Sequence, residues 1–189
     1  MAGVKLDAET VDLRSHTTAS GVDFCSINPK GNVPTIVLDD GTILNENAAT
    51  LQWIADQKPG SAAPAPGTPE RYKIINWLSY IGSEVHPSVG GHFNPTLSPD
   101  VKAFLTARAY AKFDYLNKEL TARPGFLGGS PSATIADYYL YIVLTWCPYV
   151  NLSLDSYPNL KTYFDTVGGL AQVKAALAFI ATNPSKTTP

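Results

Sequence analysis

The chain has 189 residues, of which 44% are hydrophobic and 16% are charged. A chain this apolar can bury a core, which argues against disorder, and its length suits one large domain or two small ones. The net charge of −2 comes from 14 basic and 16 acidic side chains that form no Lys/Arg cluster, so no nucleic-acid partner is expected.

Cysteine usage and hydropathy predict a cytoplasmic protein. Cys25 and Cys147 form neither a CxxC pair nor a zinc-ligand spacing, and two distant cysteines suit reduced thiols in the cytosol. The N-terminus lacks the charged-then-apolar pattern of a signal peptide, and there is no run of about 18 apolar residues. The sequence therefore predicts no membrane segment and no metal site.

Residues 1–58 have the pattern of a small α/β domain. The turn signal Asp39-Asp40-Gly41 separates two β-branched, apolar runs, which predicts a hairpin. A helical repeat follows, with Ala49 and Trp53 on one face. The predicted elements are a strand at 4–6, a polar loop or short helix to residue 21, strands at 33–38 and 42–44, and a helix at 46–57.

A linker at 59–68, rich in Pro, Gly, Ala and Ser, separates this part from an all-helical domain at 69–189. Thr68-Pro69-Glu70 and Ser98-Pro99-Asp100 each combine a capping residue, Pro at the first helical position and an acid in the first turn. Five helices are predicted, beginning near residues 69, 99, 134, 158 and 171, with a loop at 125–132 and a loose tail at 183–189.

The helix that follows Thr134 is predicted to lie at the centre of the helical domain. Thr134 and Asp137 have the spacing of a capping box. Residues 138–147 are apolar almost all round, which is typical of a helix surrounded by others.

Several short stretches, in order along the chain, resemble the glutathione transferases, most closely the bacterial beta class and related fungal members. They are 28–34 (N-P-K-G-N-V-P), 46–47 (E-N), 80–86 (Y-I-G-S-E-V-H), 126–129 (F-L-G-G) and 134–137 (T-I-A-D). The resemblance covers nearly the whole chain and implies a predominantly helical protein. Its first domain would be thioredoxin-like with a small mixed sheet, and its second an all-α domain of five helices.

The match begins at the family's second strand, so the family's first strand and helix, which carry its activating Cys, Ser or Tyr, have no counterpart. Two arrangements of the strand at 4–6 are then open: it lacks a neighbour in an incomplete domain, or it pairs directly with residues 35–38. Unpaired buried backbone groups cost about 1–3 kcal/mol each.

The resemblance implies an enzyme that takes glutathione as co-substrate and conjugates it to, or isomerises, a small hydrophobic electrophile. It also implies a cytoplasmic homodimer that needs no metal. Two alternatives stay open: a catalytically impaired protein of the same fold that binds ligands or partners, and a pathway-specific enzyme of small-molecule biosynthesis.

The resemblance assigns glutathione binding to Val33, Pro34, Glu46 and Asn47. A cis Val33–Pro34 peptide would turn the Val33 backbone toward the cysteinyl part of glutathione, as in strand addition. The γ-glutamyl carboxylate would dock at the start of the helix behind Asn47, with Glu46 on the α-amino group. The alternatives are a proline that begins a strand and a plain helix cap.

His86 is the candidate catalytic residue. A histidine there would hold the glutathione sulfur as thiolate or move a proton, and Pro87 is expected to end the helix that carries it. The alternative is a cap at the negative end of that helix. Trp146, Tyr110 and Tyr149 are candidates for an apolar substrate pocket, with core packing as the alternative.

Overall fold

The computed structural model of the chain describes residues 7–182. Two small β-hairpins lie in the first part, and helices make up most of the rest. The strand expected at 4–6 and the tail expected at 183–189 lie outside the described residues.

The two hairpins are antiparallel. Strand β1 (Val11–Asp12) pairs with β2 (Thr17–Thr18), where the sequence predicted a loop or short helix. Strand β3 (Ile36–Val37) pairs with β4 (Ile43–Leu44), in the hairpin that the Asp-Asp-Gly turn predicted. Among the described residues, the strands pair with each other only within these two hairpins, and one isolated bridge joins Thr17 of β2 to Asp23.

The β1–β2 hairpin depends on local hydrogen bonds to Asp12 that the sequence analysis did not predict. The Asp12 carboxylate accepts hydrogen bonds from the N–H groups of Arg14 and Ser15, and His16 takes a left-handed conformation with φ of 50°. An aspartate that bonds the backbone two residues on favours a tight turn, and the chain therefore reverses here instead of forming a helical turn.

Helix α1 (Asn47–Asp56) ends close to the start of α2 (Pro69–Tyr80), and one arginine joins them. Arg71 is 3% exposed; its guanidinium lies 2.8 Å from Asp56 Oδ1 and donates a 3.0 Å hydrogen bond to the Pro64 carbonyl. Thr68 caps α2 as the sequence predicted, accepting a hydrogen bond from Arg71 N–H. The Thr68 cap and the buried guanidinium thus fix the region predicted as a linker, whose exact bounds stay a prediction.

The sequence-based expectation that Pro87 ends a helix is wrong. Helix α2 runs into a π-helical turn at Ile81–Val85 and then into α3 (His86–Gly90). Pro87 lies in the first turn of α3, where its missing N–H costs little. Because the π turn divides the first predicted helix, the five predicted helices appear as six α-helical segments.

Helix α5 (Ile135–Thr145) lies at the centre of the helical part, as predicted. It packs on α2 and on α6 (Pro158–Gly169), and α6 in turn packs on α4 (Pro99–Ala122) and α7 (Ala171–Thr182). Helices α2, α4, α5 and α6 all contribute deeply buried side chains to this core: Leu78, Phe113, Leu116, Leu140, Val143, Leu144 and Leu160.

The start of α5 is fixed by a buried carboxylate. Asp137 is fully buried and accepts hydrogen bonds from Thr134 N–H (2.7 Å), Thr134 Oγ1 (2.8 Å), Leu127 N–H (2.9 Å) and Tyr163 Oη (2.9 Å). The predicted capping box is therefore confirmed, and it also holds the preceding loop and α6. Within residues 7–182 no single helix is long and apolar enough to cross a membrane. Helices α6 and α7 have the required length and composition only when taken together, and they are bent by 71° relative to each other.

Candidate functional site

An open groove of about 1250 Å³ runs between the N-terminal segments and α1. Three of the four residues assigned to glutathione from the sequence line it: Val33, Pro34 and Asn47. Thr50 and Leu51 of α1 and the strand β3 form further parts of its wall. Residues from the loop, the hairpin and the helix therefore meet on one surface.

The Val33–Pro34 peptide bond is cis, as expected from the sequence. Val33 is 47% exposed, and its main chain makes no hydrogen bond to any other residue within 7–182. A free extended backbone segment at the wall of a groove can pair with another extended chain.

A buried asparagine that was not singled out in the sequence holds this loop in place. Asn28 is fully buried; its Nδ2 donates to the Asn32 carbonyl (2.8 Å) and to Thr35 Oγ1 (3.1 Å). Its Oδ1 accepts a 2.7 Å hydrogen bond from Asn45 Nδ2, which ties the loop to the residues before α1. The only signal for this role was its place at the head of the matched 28–34 stretch.

Glu46 occupies the N-cap position of α1, but its side chain does not cap the helix. Its carboxylate forms a 2.5 Å ion pair with Lys30, and the two side chains are 63% and 52% exposed. Exposed ion pairs of this kind contribute little, typically about 0–1 kcal/mol. A ligand ammonium group can therefore replace Lys30 at Glu46 at small cost.

His86 lies in a half-buried aromatic setting built by α5 and the turn behind it. Its Nδ1 lies 2.8 Å from Tyr139 Oη, and its ring meets those of Tyr139 and Trp146 edge to face, with centroids 5.8 Å and 4.9 Å away. Burial lowers the pKa of His86 below its ordinary value of 6.5, so the imidazole is mainly neutral at pH 7.

Tyr139 is the residue that links His86 to the groove, and it was not singled out in the sequence. Burial raises the pKa of Tyr139, while the Asn47 side chain beside its hydroxyl lowers it. Asn47 lines the groove at the start of α1. A tyrosine within an almost wholly apolar helix was the one available signal, and it is equally typical of core packing.

The three aromatic pocket candidates lie in different surroundings. Trp146 contacts His86 and lies 6.0 Å from Phe93, ring centroid to centroid. Tyr110 stacks on Tyr157 at 6.1 Å and accepts a long hydrogen bond from a loop N–H, a packing role between α4 and the segment before α6. Tyr149 is 64% exposed on the turn after α5. The geometry thus joins Trp146 to His86, and the pocket roles of Tyr110 and Tyr149 stay predictions.

The two cysteines are free thiols in contrasting places. Burial raises the pKa of Cys147 to about 12, which keeps its thiol protonated and unreactive. Cys25 is partly exposed and caps no helix of α type. Among residues 7–182, no three or more His, Cys, Asp or Glu side chains are placed to share a metal ion.

Comparison with known proteins agrees with this architecture. The family model "Glutathione S-transferase, C-terminal domain" matches residues 99–166. Glutathione S-transferase GstA of Escherichia coli O157:H7 is 35% identical over 170 residues, which are 89% of this chain and 84% of that protein.

Two solved bacterial structures superpose on most of the chain. A sphingomonad glutathione S-transferase complexed with glutathione is 38% identical, with a TM-score of 0.88 over 94% of this chain and 88% of that one. The beta-class glutathione S-transferase of Sphingomonas chungbukensis is 38% identical, with a TM-score of 0.87 over the same shares. The chain belongs to the glutathione S-transferase family.

Proposed function

We propose that this protein binds glutathione and transfers it to, or uses it to isomerise, a small hydrophobic electrophile. The observation that carries the proposal is the meeting of Val33, Pro34 and Asn47 on one groove at the start of α1. A similar protein has been solved with glutathione bound, which supports the same ligand here.

Glutathione would bind as an extended chain along this groove. The unpaired Val33 main chain would exchange hydrogen bonds with the cysteinyl residue, in the manner of an added strand. The γ-glutamyl carboxylate would lie at the start of α1, where helix N–H groups and the helix dipole favour an anion. Its ammonium group would pair with Glu46 and displace Lys30.

His86 and Trp146 would face the reacting end of the complex. The glutathione thiol loses its proton, the sulfur lone pair forms a C–S bond to the electrophile, and a leaving group departs or, in an addition, the substrate takes up a proton. A hydrogen bond from His86 would stabilise the thiolate. Trp146 and Phe93 would offer an apolar face to the substrate, and Tyr110 and Tyr149 would extend that face.

We also propose a cytoplasmic homodimer, which fits the family. Large apolar side chains stay exposed on α2 and α4, with Tyr72 62%, Phe104 60% and Tyr115 44% exposed. Exposed aromatic side chains of this kind offer apolar area to a second copy of the chain. Light scattering at micromolar concentration should give twice the chain mass, and Phe104→Asp should lower it.

The binding proposal is tested with titration calorimetry of glutathione and with an activated aryl chloride as electrophile. Glu46→Gln should weaken glutathione binding about tenfold, because a charge-assisted hydrogen bond to the ligand is worth roughly 1.5 kcal/mol or more. Glu70→Gln is the matched control, since Glu70 is an exposed acid in the first turn of α2. Failure of the wild-type protein to bind glutathione would refute the proposal.

A further inference from the structure

The hydrogen bond of Tyr139 has a definite direction. Its hydroxyl carries one hydrogen, and its hydrogen bond within residues 7–182 joins it to His86 Nδ1 at 2.8 Å. Tyr139 is 7% exposed, and a buried hydroxyl needs an acceptor for its hydrogen. The phenol hydrogen therefore points to His86 Nδ1.

A phenol hydrogen donated to Nδ1 fixes the tautomer of His86. Nδ1 must then be the unprotonated nitrogen, and a neutral imidazole carries its hydrogen on Nε2. Burial, which favours the neutral ring, is consistent with this state. The side-chain hydrogen bond of His86 within residues 7–182 is made by Nδ1, so the Nε2–H is left for a ligand.

The ring has little room to reorient. A Cβ at Gly90 would lie 3.3 Å from His86 Cδ2, and one at Gly82 would lie 3.6 Å from Tyr139 Oη. The Trp146 ring meets the imidazole edge to face from another side. Gly90 thus allows the α3 backbone to pass close to the imidazole, whereas a Cβ at Gly82 would make only an ordinary contact with Tyr139.

We propose that Tyr139 is a positioning residue that holds His86 with its hydrogen on Nε2, so that His86 donates a hydrogen bond to the ligand sulfur and does not remove the thiol proton. The sulfur as acceptor rests on the proposed function, while the tautomer of His86 does not. The thiol proton then leaves to solvent, and the resulting thiolate accepts the Nε2–H.

The tautomer is tested directly by long-range proton–nitrogen NMR of the full chain with 15N-labelled histidine, with His86 assigned by its loss in His86→Gln. The wild-type spectrum should show an unprotonated Nδ1 and a protonated Nε2. Tyr139→Phe should shift His86 toward a mixture of tautomers. Tyr138→Phe is the control, because the Tyr138 hydroxyl accepts from Gln172 instead. A protonated Nδ1 in the wild type, or an unchanged spectrum in Tyr139→Phe, would overturn the proposal.

Activity gives a second readout that a merely structural role of Tyr139 would not produce. Tyr139→Phe removes the hydrogen bond that orients His86 Nε2–H toward the sulfur, and this hydrogen bond does not contribute to glutathione affinity. The variant should therefore lower kcat about tenfold with little change in KM. His86→Gln, which keeps an N–H donor, should retain most of the activity that His86→Ala loses. Equal loss in both His86 variants would show that the ring acts as a base and would overturn the donor role. A wild type without turnover would refute the proposed function and leave the NMR result to decide the tautomer.

Discussion

The buried carboxylate of Asp137 should be among the most costly side chains to remove. Asp137→Ala removes the acceptor of four buried donors: Leu127 N–H, Thr134 N–H, the Thr134 hydroxyl and the Tyr163 hydroxyl. Of these, the Tyr163 hydroxyl keeps a long 3.5 Å hydrogen bond to the main-chain carbonyl of residue 137. Each buried unsatisfied group costs about 1–3 kcal/mol, and water entering the loop side should relieve part of this. We expect a loss of about 4 kcal/mol in the free energy of unfolding.

Urea denaturation followed by tryptophan fluorescence measures this loss, and a fall of roughly 8–16 °C in Tm should accompany it. Asp137→Asn should lose about half as much, because its amide keeps one accepting oxygen. Asp100→Ala is the control: Asp100 is an exposed acid in the first turn of α4, and its loss should change stability by at most about 0.5 kcal/mol. A cost below about 1 kcal/mol for Asp137→Ala would refute the account of this carboxylate as the junction of loop, α5 and α6.

Three further outcomes follow from described contacts. Phe113→Ala should cost about 3–5 kcal/mol by chemical denaturation, because Phe113 is fully buried in α4; a loss under 1 kcal/mol would contradict its place in the core. Arg71→Met should cost about 2 kcal/mol, since it removes the buried guanidinium that bonds Asp56 and the Pro64 carbonyl, and a neutral result would mean that packing alone joins α1 to α2. Burial lowers the pKa of His86, so the unfolded chain binds its proton first; the contribution of His86 to stability is full above about pH 6.5 and is lost as pH falls through the folded-state pKa. The free energies of unfolding of the wild type and of His86→Gln, measured between pH 7.5 and 5, should therefore converge toward low pH. Parallel pH dependences of the two proteins would contradict this.

Local signals predicted the helical part well. The caps at Thr68, Ser98 and Thr134 were predicted from sequence and are confirmed, because a cap depends on residues within one turn. The β3–β4 hairpin was predicted for the same reason. The β1–β2 hairpin was missed, since no alternating apolar pattern marks two-residue strands.

Contacts between segments that are distant in the sequence could not be predicted from local signals. His86 and Tyr139 are 53 positions apart, and nothing in the sequence indicates their hydrogen bond. Tyr110 was given a pocket role by resemblance, and its stacking on Tyr157 depends on how α4 meets the segment before α6. Pro87 was read as a helix end because proline disfavours helix interiors, yet the wider turn before it supplies a new first turn.

The π turn makes the hydrogen-bond ladder of the helix less regular, and it also sets the direction of the His86 side chain. A π turn accommodates one more residue than an α-helical turn, and each residue rotates the following chain by about 100°. Deleting a single residue from Ile81–Val85 would restore a regular ladder of hydrogen bonds and would swing the imidazole about a quarter of a circle away from the α5 phenol. The helix therefore keeps a less regular winding at the one place where winding decides which way its histidine faces.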